Sequence, residues 1–121
     1  MVSIDELSKS ATVLLTTFRR NGQAVGTPVG IRVSGGRAYF MTWTATGKVK
    51  RIANNPRATL APCTRRGRVT GESIDGSCRR LAGSEARRAQ EILSGNWIGR
   101  VWLLVYRISR REPVFFEMTP S

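Results

Sequence analysis

Polar and apolar residues alternate along the first third of the chain, the period of an extended strand with one face turned to a core. Residues 11–18 hold a run of β-formers (Val13, Leu14, Leu15, Thr16, Thr17), and Arg20-Asn21-Gly22 supplies the residue types of a tight hairpin turn. Residues 23–34 carry Val25, Thr27, Val29, Ile31 and Val33 at period two, which puts five side chains on one face of a second strand. Pro28 falls on the other face. Without an N–H it predicts an edge position or a bulge. Gly35-Gly36 then turns the chain into a third strand over residues 37–43, Arg-Ala-Tyr-Phe-Met-Thr-Trp.

After Trp43 the spacing changes. Apolar residues at Val49, Ile52 and Ala53 predict one short helix, with Thr46 placed to cap its start. Asn55-Pro56 stops it, because proline disfavours helical conformation in the residue before it. Residues 58–63 read as a fourth strand, and Arg65-Arg66-Gly67-Arg68 leads into a fifth that runs from Val69 towards Leu81. A helix follows over 84–93, and a second over 97–110 with Trp97, Val101, Leu104, Val105 and Ile108 on one face. Pro113 ends it, and residues 114–118 make a closing strand. The order predicts one domain over residues 1–121, mainly β (α+β): a five-stranded antiparallel meander with a helical insert, two helices, and one last strand, closed as a small barrel.

Charge sharpens this picture. The formal net charge is +12, and all of it sits between Leu7 and Gly71, a stretch with twelve Lys or Arg and no Asp or Glu. A field of one sign concentrated in one segment predicts an anionic partner. Histidine is absent, which removes Ser-His-Asp triads, Cys-His pairs and His-ligated metals, so any catalysis points to a bound cofactor. Cys63 and Cys78 have neither zinc-ligand nor Cys-x-x-Cys spacing and read as inert thiols. No apolar run approaches the roughly 20 residues of a membrane span, and no leader pattern opens the chain; the expectation is a cytoplasmic protein.

The sharpest local feature is Gly47-Lys48-Val49-Lys50-Arg51 at a predicted helix start. Free backbone N–H groups, a glycine allowing close approach and three cations make a candidate phosphate cradle. It is not a Walker A sequence, and a solvated basic helix end explains it equally well. Gly67-Arg68, beside Arg65 and Arg66, reads as an exposed turn, and Thr27-Pro28-Val29 as an ordinary edge proline ahead of a strand irregularity that exposes backbone groups to a flat ligand. Trp43 and Tyr39 suit either ring stacking or core packing. The pI near 11.5 makes nucleic acid the rival partner. No helix-turn-helix, RRM or KH pattern supports it, and the cations sit at turns rather than along a recognition helix.

Thr27-Pro28-Val29, then Tyr39-Phe40-Met41-Thr42-Trp43, then Gly47-Lys48-Val49-Lys50-Arg51 running on to Asn55-Pro56-Arg57, then Ala61-Pro62-Cys63-Thr64 and Gly67-Arg68 occur in an order that resembles the pyridoxamine-phosphate-oxidase-like split β-barrel family. Within it the chain is most similar to the actinobacterial F420-dependent oxidoreductases. The resemblance implies a homodimer with two clefts at the subunit interface, each binding coenzyme F420 or FMN. It implies that Lys48, Lys50 and Arg51 hold the cofactor phosphate, that Thr42 and Trp43 line the approach, and that Thr27, Pro28 and Val29 face the tricyclic ring. Pro62, Cys63 and Arg68 would lie along the same cleft. The implied function is an oxidoreductase in which reduced F420 delivers a hydride to a small organic acceptor, with water or Tyr39 supplying any proton. FMN is the alternative cofactor, and a non-catalytic cofactor- or nucleic-acid-binding protein the alternative class. Gly30 departs from the bulky residue usual after Thr-Pro-Val, and Ser94-Gly95-Asn96-Trp97 departs from the family's Lys-Tyr-Gly.

Overall fold

The computed structural model describes residues 4–7, 12–43, 47–64, 66–94 and 113–121. Seven strands, β1 (Val13–Phe18), β2 (Ala24–Val29), β3 (Arg32–Ser34), β4 (Arg37–Trp43), β5 (Arg57–Pro62), β6 (Ile74–Arg80) and β7 (Pro113–Pro120), form one antiparallel sheet in the order β2-β1-β5-β6-β7-β4-β3. Among the described residues three helices accompany it: α1 (Ile4–Leu7), α2 (Gly47–Asn54) and α3 (Gly83–Ser94). The sheet curls into a split barrel, the fold class that the resemblance implies.

Alternation does the folding work. Val13 and Leu15 of β1, Ala58 and Leu60 of β5, Ala38 and Phe40 of β4, and Val114, Phe116 and Met118 of β7 share the inner face and form the main core, closed at one end by Ile52 and Val49 of α2. Phe40 and Phe116 stack with ring centroids 5.3 Å apart. On the outer face α3 lays Ala89 and Leu93, with Ala86 and Ile92, over Tyr39, Phe115 and Met41.

The turns follow their glycines. Gly22 (φ 88°) closes the β1–β2 hairpin, where the Asn21 carboxamide oxygen accepts the Gln23 N–H, and Gly35 and Gly36 (φ 61° and 75°) turn β3 into β4. Pro28 lies on an edge strand, as its missing N–H requires, since β2 ends the sheet.

Four expectations need correction. The strand expected over 23–34 breaks at Gly30-Ile31, because β2 pairs with β1 and β3 with β4, at opposite edges of the sheet. Val29, Ile31 and Val33 nonetheless keep their period and pack on the core. The strands do not run as a meander: α2 carries the chain from β4 to β5, which pairs with β1, while β7 enters between β6 and β4. A strand with Val114 to Met118 all buried belongs in the middle of a sheet, where both faces are covered. The fifth strand begins at Ile74, because Val69 bridges back to Cys63 and the Thr64 N–H donates to the Arg68 carbonyl, so this part of the chain pairs with itself. Tyr39 points to the outer face beneath α3, away from α2, which removes it as a proton source for a ligand there. The expected helix over 97–110 and the Thr46 cap lie outside the described residues.

One polar cluster is buried under α3. Tyr39 Oη donates to Glu117 Oε2 at 3.0 Å, while Arg37 and Arg79 reach Glu117 Oε1 at 3.5 and 3.2 Å. Arg79 also holds Glu85 in the first turn of α3. Burial pushes the Glu117 carboxyl up, but the hydrogen bonds from Tyr39 and Arg79 and the charges of Arg37 and Arg79 overcome it and leave it below its ordinary value. Such a carboxylate stabilises the fold above its unfolded pKa and loses that contribution as pH falls through the lower folded value. Glu117→Gln is therefore expected to lower stability at neutral pH by about 1–3 kcal/mol and to flatten the acid limb of stability below about pH 5. Urea unfolding as a function of pH measures both, and an unchanged acid limb would remove Glu117 as its source.

Candidate functional site

α2 starts at Gly47, just past the end of β4, and packs on β1. Val49 and Ile52 turn into the core, which leaves Lys48 and Arg51, three positions apart, together on an adjoining face. Lys50 stands roughly 200° around the helix from Lys48 and is exposed. The sequence thus puts three cations in four residues, and the helix separates one of them from the other two.

Arg51 is fixed in place. Its Nε donates to Thr17 Oγ1 at 2.6 Å, and Thr17 is fully buried at the end of the inner row of β1. The guanidinium folds back over the helix start, where a Cβ added to Gly47 would stand 2.6 Å from one of its terminal nitrogens. A side chain at position 47 would make the guanidinium shift.

The electrostatics of this corner are one-sided. Burial, then the charge of Arg51, draws the Lys48 ammonium below its ordinary pKa. Burial, then the charge of Arg19, does the same to Arg51. A carboxylate neighbour would act in the opposite direction. Among the described residues the ion pairs engage Arg37, Arg57 and Arg79, and none reaches α2. Two half-buried cations thus stand at a helix start, an arrangement whose charge and dipole suit a compact anion.

The other expected site residues occupy two further places. Thr27 and Val29 are half-buried on the inner face of β2, opposite Leu15 and Val13, whereas Pro28 is exposed on the outer face opposite Leu14. The three side chains therefore present two surfaces. Pro28 meets the 64–68 turn, where a Cβ at Gly67 would lie 3.4 Å from Pro28 Cγ, and a Cβ at Gly30 would meet nothing within 4 Å. Pro62 is half-buried on the inner face opposite Val13, and Cys63 is buried beside it with its thiol pushed up by burial.

Arg68 is exposed, and its backbone N–H donates to Thr64 Oγ1 at 3.1 Å. Thr42 is buried opposite Val114, and Trp43 closes β4 opposite Pro113, its side chain outside the described residues. The structure thus gathers Gly47, Lys48 and Arg51 at the end of β1. It gathers Pro28, Cys63 and the Gly67-Arg68 turn near its start, about 10 Å away along the strand. Thr17 and Arg19 escaped the sequence reading, although both continue the row Val13, Leu15 at period two.

No described helix is long and apolar enough to cross a membrane. The sequence profile described as pyridoxamine 5′-phosphate oxidase matches residues 4–119. No curated protein matches the chain. Among solved structures, the haem-storage protein HutZ of Vibrio cholerae superposes with a TM-score of 0.70 at 10% identity, over 98% of this chain and 87% of that one. A protein of Mesorhizobium loti described as FAD-binding gives 0.65 at 17%, over 99% and 91%. A conserved hypothetical protein of Mycobacterium tuberculosis gives 0.66 at 19%, over 99% and 81%. At these identities the likeness is one of fold.

The bond between α2 and β1 has a testable strength. Thr17→Val keeps the buried volume and removes the acceptor, and is expected to cost about 0.5–1.5 kcal/mol in urea unfolding. An unchanged midpoint would show that the bond does not anchor α2.

Proposed function

The chain belongs to the pyridoxamine 5′-phosphate oxidase family, and from that premise we propose that it is a cofactor-binding oxidoreductase that holds the phosphate of coenzyme F420 at the start of α2. The observation that carries this reading is the pair Lys48 and Arg51, half-buried, mutually repelling and with no carboxylate partner among the described residues. The sequence pattern from Thr27 to Arg68 favours F420 over other family cofactors, and the segment of one-signed charge suits its long anionic tail. A bound deazaflavin supplies hydride transfer to a small organic acceptor.

The chain's own residues bind and orient. Lys48 and Arg51 fix the phosphate, and Lys50, on the other side of the helix, meets a more distant part of the tail. Thr27 and Val29 offer the inner face of the edge strand to the ring, and Gly30 leaves room beyond it. Thr42, Trp43, Pro62, Cys63 and Arg68 border the approach. The outer face of β2, β1 and β5, with Leu14, Phe18 and Pro28 part-exposed and no described helix over it, is the surface on which a second copy completes the cleft. In this reading the dimer is cytoplasmic and takes small molecules rather than nucleic acid.

FMN is the second reading, favoured by the FAD-binding description of the Mesorhizobium loti protein and by the family's name. Haem, suggested by the Vibrio cholerae protein, would have to be held without a histidine ligand, since the chain contains none.

Fluorescence titration with oxidised F420 and with FMN tests the reading. Wild type is expected to bind F420 more tightly than FMN, and Lys48→Ala to weaken binding at least tenfold, about 1.4 kcal/mol, with its unfolding midpoint unchanged. FMN preference would exchange the cofactor. Binding of neither, or an unchanged dissociation constant in Lys48→Ala, would overturn the assignment.

A further inference from the structure

We propose that Arg19, at the β1–β2 hairpin, is the third cation of the α2 site, so that Arg19, Lys48 and Arg51 together bind a phosphate group. The inference rests on the reading of α2 as the phosphate-binding element, and it replaces Lys50 in the set that the local sequence cluster suggests.

The β1–β2 ladder carries the argument. Phe18 pairs with Ala24, and the Arg19 N–H donates to the Gln23 carbonyl at 2.9 Å, so the antiparallel register runs one residue beyond the assigned strands. The alternation of β1 therefore continues through Arg19. Val13, Leu15 and Thr17 are each fully buried on the inner face, and Arg19, next in that row, is exposed. The row leaves the core beside α2, because Thr17 is the residue whose Oγ1 accepts the Arg51 Nε–H.

Arg19 lies two residues further along the strand, about 7 Å, well within the reach of two arginine side chains. Arg51 is in turn folded onto Gly47, the residue before Lys48. The three cations thus line one corner from the strand end to the helix start. Their mutual influence follows that order, since the charge of Arg19 depresses Arg51 and that of Arg51 depresses Lys48. A corner that gathers three like charges with no carboxylate partner among the described residues is matched to a multiply charged anion, and two guanidinium forks add bidentate geometry for phosphate oxygens.

The experiment measures thermal unfolding of the purified full chain in inorganic phosphate against chloride of equal ionic strength, for wild type, Arg19→Gln, Arg19→Lys and Arg20→Gln. FMN and riboflavin titrations of the same proteins accompany it. Wild type is expected to be stabilised by phosphate. Arg19→Gln should lose most of that response with its phosphate-free midpoint unchanged or raised, Arg19→Lys should keep part of it, and Arg20→Gln all of it.

Arg19→Gln should also bind FMN at least tenfold more weakly while its weaker affinity for riboflavin stays the same, which a purely structural arginine would not produce. A wild type indifferent to phosphate, or an Arg19→Gln protein with the full response, overturns the proposal. If FMN binds equally well to wild type and Arg19→Gln, the triad fails and cofactor binding stands. If phosphate acts as expected but F420 and FMN bind no better than phosphate, the cofactor reading fails and the triad stands.

Discussion

The structure depends on the insertion of β7 between β6 and β4. The strands before it form two separate groups, β2-β1-β5-β6 and β4-β3, and only β7 hydrogen-bonds to both. Its inner residues Val114, Phe116 and Met118 fill the barrel, each contributing about 1.5–3 kcal/mol through burial of a large side chain. Its outer residues act differently, since Phe115 seats α3 while Glu117 collects Arg37, Tyr39 and Arg79 from both neighbouring strands. A carboxylate buried in that position is tolerable because three donors surround it. The seam is thus joined twice, by packing on the inside and by a compensated charge on the outside.

Closing the barrel at that seam decides where it stays open. β2 and β3 become the free edges, although they are neighbours in sequence, and only Gly30-Ile31 spans the gap. The same topology obliges the chain to cross from β4 to β5, and α2 makes the crossing. A helix start is thereby brought against the end of β1, where Thr17 receives Arg51. The candidate site is a by-product of the route the backbone must take, and it lies away from the α3 side, where Glu117 and Glu85 pair with Arg37 and Arg79.

Most of the local elements were legible in the sequence. Runs of β-formers and turn glycines located β1, β4 and the hairpins, and Asn55-Pro56 marked the end of α2, because these signals act over a few residues, whereas β2 and β3 read as one strand. Strand order was not legible as a meander, because pairing is decided by which faces must be buried. The clue lay in the unbroken apolar run Val114-Phe115-Phe116, which fits a central strand better than a closing edge. At the site, Gly47, Lys48 and Arg51 were visible as a cluster. The separation of Lys50 from the other two follows from helical phase, and the bond of Arg51 to Thr17 joins residues 34 positions apart. No local pattern encodes such a contact.

The two charge clusters of this chain obey opposite rules. With twenty cations and eight carboxylates, most of the cations must go without partners, so an unpaired arginine alone says little. What distinguishes Lys48 and Arg51 is that they have no carboxylate partner among the described residues and are also partly withdrawn from water, which lowers the pKa of both. An exposed arginine loses nothing by standing alone; a half-buried one beside a second cation destabilises the fold. The carboxylates outside the charged window do reach back into it, to Arg37 and Arg57, and they do so away from α2. The fold neutralises its buried carboxylate with three donors, whereas among the described residues it leaves the half-buried Lys48 and Arg51 facing one another, a repulsion that a bound anion would relieve.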